Sequence, residues 1–584
     1  MALRGGFAKA TILVFLALFA LLLVINIGHH DTRQQLHDAL LSYRAKAAVS
    51  SPPTINKVTP PAVQYVEEPV DEQLVLQLEQ ELPEVDYKYW YYQAKPKTYR
   101  LNKTCAPYPD PLELQLHNIY WQSFLNANVT FRLYAAYLDT RQDGTEGPRV
   151  RVLGTANQIG DGFPPTYCHL WYDNHSQPII VNVTAFVSVW VKAWGNKPQL
   201  SYPHLLSCPL PKEVPPNLID AIPRTVSLVT DECKKATNSL RVHYERNTNN
   251  DNNDTDDDTN TTAISPKALN FGVCVKGFDF PYVDLSERLI EWFEMQRIMG
   301  ATRIYAYMYD VHPSVQRVLD YYQHEGFLEL RPLTMANGMP RLKHYQHMLL
   351  QQRLLVKRLN ELIPYNDCFY RNMYRHDYLL NVDIDEVILP LGNLTNWQQV
   401  LETTMATELS KPSTKCPKGF VAFCFINTYF SKAVGDATNH EEAEQSEELY
   451  VLQHVMRHRN YSRPGQATKC FHNTNLSITL HNHFTLKWIT DGCRPRTVST
   501  EHGQMQHYRE PDKKYEPSEL VEDRSIWRFA SELRKNVEHV WIHLNDGAQQ
   551  TIGNLEEEQS LDELLEEDLA EEQTQQQEQI LATK

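Results

Sequence analysis

The chain has 584 residues, more than one compact domain of ordinary size holds. Its 42% hydrophobic and 22% charged residues are globular values and exclude a wholly disordered or collagen-like chain. The net charge of −16 is concentrated in two runs: Leu555–Gln579 has eleven acidic and no basic residues, and Asn247–Thr262 has five acidic and no basic ones. The remainder is neutral, which argues against a nucleic-acid partner because that needs a basic face.

In chain order, residues 1–9 form a short tail with Arg4 and Lys9, and Ala10–Ile27 (ATILVFLALFALLLVINI) follows without a charge. A helix of that length spans about 27 Å, near the roughly 30 Å apolar core of a bilayer. A cleaved signal peptide would have a shorter apolar run and a small-x-small site, whereas this run closes on Val24, Ile25, Asn26 and Ile27. The segment therefore reads as a signal-anchor. The basic residues before it keep the N-terminus cytosolic and the rest luminal or extracellular. Nine Asn-x-Ser/Thr sequons agree with that side: Asn102, Asn128, Asn174, Asn182, Asn253, Asn260, Asn393, Asn460 and Asn475. Ten dispersed cysteines with no CxxC pair favour disulfides over metal or redox chemistry, with connectivity left open.

Residues 28–84, with SPPT and TPPAV, read as a stem. Across 85–235 come short β-prone runs, VTFRLYAAYL, VRVLGTA, YCHLWYD and the long Ile179–Trp194, bounded by turn residues. These predict an antiparallel β-rich accessory domain. Residues 236–265 read as a disordered acidic insert and 547–584 as an acidic Glu/Gln-rich tail.

Over 266–546 strand and helix patterns alternate, which predicts a parallel α/β sheet. The strands are Phe271–Lys276, Arg303–Tyr309, Phe327–Arg331 and Tyr378–Val382. The helices are Ser286–Met299 (Ser286 as N-cap, Gly300 just past its end), Ser314–Glu325 and Tyr345–Leu362. Ligands of such sheets bind beyond the carboxyl ends of the strands, where Asp310 and the run NVDIDEVILP fall. On an extended chain Asp383 and Asp385 share a face and can converge on one hard cation such as Mn²⁺ or Mg²⁺. The alternative is a solvated acidic turn. No phosphate loop, nucleophile elbow or dinucleotide fingerprint is present.

Glu291-Trp292, MGATRIYAYMYD, DCFYRNMY, NVDIDEVILP, the Lys469–His481 segment and His507-Tyr508-Arg509 together resemble glycosyltransferase family 92 over roughly residues 270–545. That family is typified by Golgi β-1,4-galactosyltransferases acting on the core fucose of N-glycans. The resemblance implies a GT-A type, Rossmann-like nucleotide-sugar-binding domain, a divalent metal (usually Mn²⁺), UDP-galactose as donor, a glycoprotein acceptor and inversion at the anomeric carbon. It implies a type II Golgi membrane protein with a luminal catalytic domain. Carried over by position, Asp383 and Asp385 are the metal and diphosphate pair, and Asp310 lies near the nucleoside. A third metal ligand comes from a late histidine, His507, or alternatively His481 or His483. Lys469 and Arg509 are candidates for neutralising diphosphate, and Asp491 is the candidate base, with nothing in its spacing to single it out. Glu386 points away from Asp385 and serves as a structural partner. The competing reading is a non-catalytic membrane glycoprotein whose β region binds carbohydrate and whose transferase domain is degenerate. A metal-dependent hydrolase would need a His-rich cluster near the Asp pair, and none is there.

Overall fold

The structure, a computed structural model, describes residues 72–94, 105–144, 146–160, 162–213, 218, 221–245, 268–336, 342–411, 416–432, 449–509 and 515–545. The apolar run Ala10–Ile27, most of the stem, the Asp-rich run, the acidic tail and the sequons at Asn102, Asn253 and Asn260 lie outside the described residues. Among the described residues no helix is long and apolar enough to cross a membrane. From Glu72 onward the chain forms one compact unit.

The N-terminal lobe is a ten-stranded sheet. Its centre is Val129–Asp139, antiparallel to Trp121–Asn126 and Arg149–Ala156. The Ile179–Trp194 run is not one strand. It divides into Ile179–Asn182, paired with Tyr167–Trp171, and Ala185–Ser188, paired with Tyr202–Pro209. These two short strands stand at opposite ends of the strand order although only two residues join them, so the sheet curls back on itself. A strand at Leu240–His243 runs parallel to Val129–Asp139, inside the stretch that the low-complexity pattern assigns to the insert. Buried Asn238 explains its order: the side-chain amide donates to Leu228 O and the side-chain oxygen accepts from Leu228 N.

The end of the expected stem is also structured. Glu72–Glu81 is a helix, and Glu84 beyond it accepts from Arg371 at 2.6 Å. A buried carboxylate with a guanidinium partner makes this segment part of the fold.

In the α/β lobe, β1 (Phe271–Phe280), α1 (Ser286–Met299), β2 (Ala301–Val311), α2 (Pro313–His324) and β3 (Leu328–Pro332) alternate. After them come α3 (Lys343–Gln352), α4 (Leu354–Asn372), β4 (Tyr378–Asn381) and β5 (Glu386–Pro390). The seven-stranded sheet has β3-β2-β1-β4 as its parallel half, followed by Lys469–Asn473, antiparallel to β4. The α1 limits match the periodicity. Its cap differs: Asp284 Oδ1, not the Ser286 side chain, accepts from the Ser286 amide. Gly300 closes the helix at φ +118°, a region L-residues avoid. The expected helix Tyr345–Leu362 is broken at Arg353, where the backbone leaves helical space, and α4 continues through buried Pro364 to Asn372.

The two lobes share a core. Trp121, Tyr134, Tyr137, Leu153 and Leu205 from the β lobe pack in one cluster with Tyr305, Tyr307, Phe369, Leu379 and Leu480. Asp367 on α4 accepts from both Tyr137 and Tyr307 across the seam. All ten cysteines pair, as Cys105–Cys233, Cys168–Cys208, Cys274–Cys368, Cys416–Cys493 and Cys424–Cys470. Cys274–Cys368 joins β1 to α4, and Cys424–Cys470 joins directly opposed residues of two strands.

Candidate active site

A cleft of about 360 Å³ opens at the carboxyl ends of β1 and β4. That is within the range of small-molecule sites. β1 supplies one wall. The strand extends four residues past the predicted end, and Lys276, Gly277, Phe278, Asp279 and Phe280 all contribute to the cleft lining. Gly277 is required there, because a Cβ would stand 2.5 Å from the Tyr309 ring. Leu285, Arg288 and Leu289 come from the start of α1, Leu350 and Gln351 from α3, and Lys357, Asn360 and Glu361 from α4.

Asp383 and Asp385 sit at the cleft, but in a turn between β4 and β5, not on an extended strand. Glu386 N donates to Asp383 O, closing the turn. α1 buttresses it from below: Trp292 Nε1 donates to Glu386 O at 3.0 Å. β5 pairs antiparallel with Gly503–His507 in a register that sets Glu386 opposite His507. Tyr508 N then donates to Asp385 O at 2.8 Å. Sheet pairing over 122 residues of sequence thus brings His507 Nε2 to 3.3 Å from Asp385 Oδ2. The imidazole stacks on Tyr429, and its other nitrogen lies 3.6 Å from Glu386 Oε1. Glu386 accordingly backs the histidine from behind while Asp385 meets it at the cleft.

The two aspartates have different surroundings. Asp383 Oδ1 lies 3.1 Å from Lys276 Nζ and accepts from Tyr365 at 3.1 Å, and Oδ2 lies 3.4 Å from Lys469 Nζ. Burial opposes its charge, but Lys276 and Lys469 outweigh burial and hold the carboxyl far below the ordinary range. Burial likewise opposes Asp385, and the His507 hydrogen bond more than offsets it. His507 is pushed up despite burial because carboxylates flank it, Asp385 foremost. Glu386 is raised, chiefly by burial.

The donor chemistry at the lip suits a hard divalent cation. An Asp oxygen and an imidazole nitrogen 3.3 Å apart can bind one ion in adjacent positions. Among the described residues no group of three His, Cys, Asp or Glu could hold a metal ion. Two protein donors completed by phosphate oxygens and water is the usual arrangement for Mg²⁺-like ions at nucleotide sites. Asp383 is less suited, since lysines already occupy both of its oxygens.

Of the remaining candidates, Arg509 lines the cleft and lies over the Tyr429 ring at 5.7 Å. Asp310 is not part of the lining and pairs with Lys343 on α3 at 2.9 Å. Lys469 does not face the cleft: its side chain is fully buried behind Asp383, 3.2 Å from Glu386 and 2.9 Å from Asn482. His481 is packed against Trp194 and Phe484, and His483 lies beside the same Trp194, so neither meets the Asp pair. Asp491 is half-exposed and paired with Lys418 at 2.8 Å, away from the cleft. The residues that sequence reasoning missed are Lys276, Arg288, Lys357 and Glu361. Lys276 carried a readable signal, as the lysine that closes the predicted strand Phe271–Lys276. The others depend on helix orientation.

Six of the nine sequon asparagines are described, and all six (Asn128, Asn174, Asn182, Asn393, Asn460 and Asn475) are exposed.

These features define an α/β protein with a cleft lined by four cationic side chains and four carboxylates, and with an Asp–His pair at the strand ends. Residues 270–552 match the family model of Glycosyltransferase family 92, which supports that family for this segment and implies a nucleotide-sugar donor and a glycan acceptor. No curated protein matches the chain.

Proposed function

We propose that the chain is a metal-dependent inverting glycosyltransferase of GT-A type that transfers galactose from UDP-galactose to the core fucose of N-glycans, from a type II position in the Golgi membrane. The observation carrying the proposal is the Asp385–His507 pair at the mouth of a cleft lined by Lys276, Arg288, Lys357 and Arg509. In this reading Asp385 and His507 hold Mn²⁺, which neutralises charge on the departing diphosphate. Arg288, Lys357 and Arg509 offer that anion further positive charge. Lys276 and Lys469 keep Asp383 ionised and fixed, so the turn holds its shape when a ligand binds. Phe278, Phe280, Leu285 and Leu289 form the apolar wall that excludes water from the donor.

Five disulfides and six exposed sequon asparagines favour an oxidising, glycosylating compartment. Galactose and core fucose rest on the sequence resemblance. The shared core of the two lobes favours a structural role for the β region over that of a separate adhesion module.

The test is transfer from each common UDP-sugar to fucosylated and unfucosylated N-glycans, with Mn²⁺ or chelator. Mn²⁺-dependent transfer from UDP-galactose that requires the fucose is expected. Transfer from another donor, or to the unfucosylated glycan equally well, would overturn the assigned specificity.

A further inference from the structure

Four carboxylates line the cleft, and each has partners in the fold. Asp383 is held by lysines and Asp385 faces His507. Asp279 lies 3.1 Å from His347 and 3.5 Å from Gln351, both on α3 at the rim. The fourth is Glu361 on α4. Its side chain is 11% exposed, which leaves it sheltered but reachable. One oxygen is 3.3 Å from Lys276 Nζ, and the other accepts from Asn482 Nδ2 at 3.4 Å. Lys276 therefore stands between Glu361 and Asp383, so that Lys276 and Asp383 separate this carboxylate from the Asp385–His507 lip. The same cleft wall holds the Tyr309 hydroxyl, buried without a hydrogen-bond partner, and the charges that act on it are Asp279 and then Glu361. A buried orphan hydroxyl costs free energy unless a ligand satisfies it. A polar ligand group seated between Tyr309 and Glu361 would do so.

Resting on the transferase reading above, we propose that Glu361 is the general base that accepts the proton of the acceptor hydroxyl, and that Tyr309 orients the hydroxyls bound there. In this step the acceptor oxygen forms a bond to the anomeric carbon and its proton passes to a Glu361 oxygen. The bond from that carbon to the diphosphate oxygen breaks, and its electron pair leaves with the nucleoside diphosphate. Placement across Lys276 and Asp383 from the Asp–His lip suits the role, since the base of an inverting transfer lies on the sugar face opposite the leaving group. The choice differs from Asp491, which the fold places on the surface.

The test compares the full chain with Glu361→Gln and Asp279→Asn, reading kcat and both KM values with UDP-galactose and a fucosylated N-glycan, and UDP–Mn²⁺ affinity by calorimetry. Glu361→Gln keeps the volume and can still bond Asn482, but cannot take a proton. Its kcat should fall by about 10²–10⁴, with both KM values and UDP affinity within about threefold of wild type. It should fall at least about tenfold further than Asp279→Asn. A kcat within about tenfold of wild type, or a loss carried by the donor KM, would overturn the assignment. If Glu361→Gln fails to fold, Glu361→Asp serves, and a kcat equal to wild type there would count against the base. No turnover by the wild-type chain while UDP still binds would overturn the transferase reading itself, a failure separate from that of Glu361.

Discussion

A buried charge cluster at the lobe seam allows a quantitative prediction. Arg371 on α4 is 6% exposed and lies 2.6 Å from Glu84 and 2.9 Å from Asp367. His243 completes the cluster at 2.8 Å from Glu84 and is held below its ordinary range, first by burial and then by Arg371. The cluster thus has two carboxylates and one guanidinium. Breaking a buried pair by removing one partner costs about 3–5 kcal/mol, because the survivor is left uncompensated. Removal of Glu84 leaves a one-to-one Arg371–Asp367 pair, so Glu84→Ala falls below that range, at about 2 kcal/mol for the lost charged hydrogen bond. Removal of Arg371 leaves two buried carboxylates without their cation, so Arg371→Ala belongs at the upper end, about 5 kcal/mol. Thermal unfolding of the full chain, followed by intrinsic fluorescence, should give midpoints in the order wild type, Glu84→Ala, Arg371→Ala. Equal midpoints for Glu84→Ala and wild type would refute the integration of residue 84 into the α/β lobe. The reverse order of the two variants would refute the charge argument.

Glu291 on α1 is buried while its carboxylate caps Tyr450 N and Val451 N, and burial pushes its pKa from 4.5 up to about 7. A raised carboxyl binds its proton more tightly when folded, so this stability is present at low pH and lost as pH rises through about 7, by up to about 3 kcal/mol. Unfolding midpoints from pH 5 to pH 8 should favour wild type over Glu291→Gln increasingly toward pH 5, and a pH-independent difference would contradict this. A chain starting at residue 266 would expose Tyr305, Tyr307, Phe369 and Leu480. It should aggregate in size-exclusion chromatography, and a monodisperse, UDP-binding product would show that the lobes are separable. Gly277→Ala forces the Tyr309 ring aside, at about 1–3 kcal/mol of overpacking. It should lower both the unfolding midpoint and UDP affinity, and unchanged values would show that the cleft wall is not packed as described.

The helix and strand pattern of the α/β lobe was readable because each element reports its own surroundings. α1 is delimited by its apolar spacing and by Gly300, and the Asp383–Asp385 turn by the apolar runs flanking it. Properties set by distant residues were not readable. His507 reaches Asp385 only through the pairing of β5 with Gly503–His507, which no local spacing encodes. That Lys276 and not the expected Lys469 meets the cleft depends on which way each strand faces: Lys276 turns into the cleft and Lys469 is buried behind Asp383. The Ile179–Trp194 run has strand texture throughout, yet a two-residue connection sends its halves to opposite ends of the sheet. Glu84 and Asn238 lie in polar stretches that read as linker, and their order comes from partners in the folded lobes, Arg371 for the one and Leu228 for the other.

The central claim is that Asp385 and His507 bind a divalent cation that recruits a nucleoside diphosphate into this cleft. Calorimetric titration of UDP into the full chain, with Mn²⁺ or with chelator, tests it most directly when repeated on Asp385→Asn, His507→Gln and Asp383→Asn. The account predicts that UDP binding requires Mn²⁺ and is abolished in Asp385→Asn and His507→Gln. Asp383→Asn should retain Mn²⁺-dependent UDP binding, weakened by about 10–100-fold, as for a residue that supports a ligand without being one. UDP binding that ignores Mn²⁺, or loss of UDP binding in Asp383→Asn alone, would contradict it.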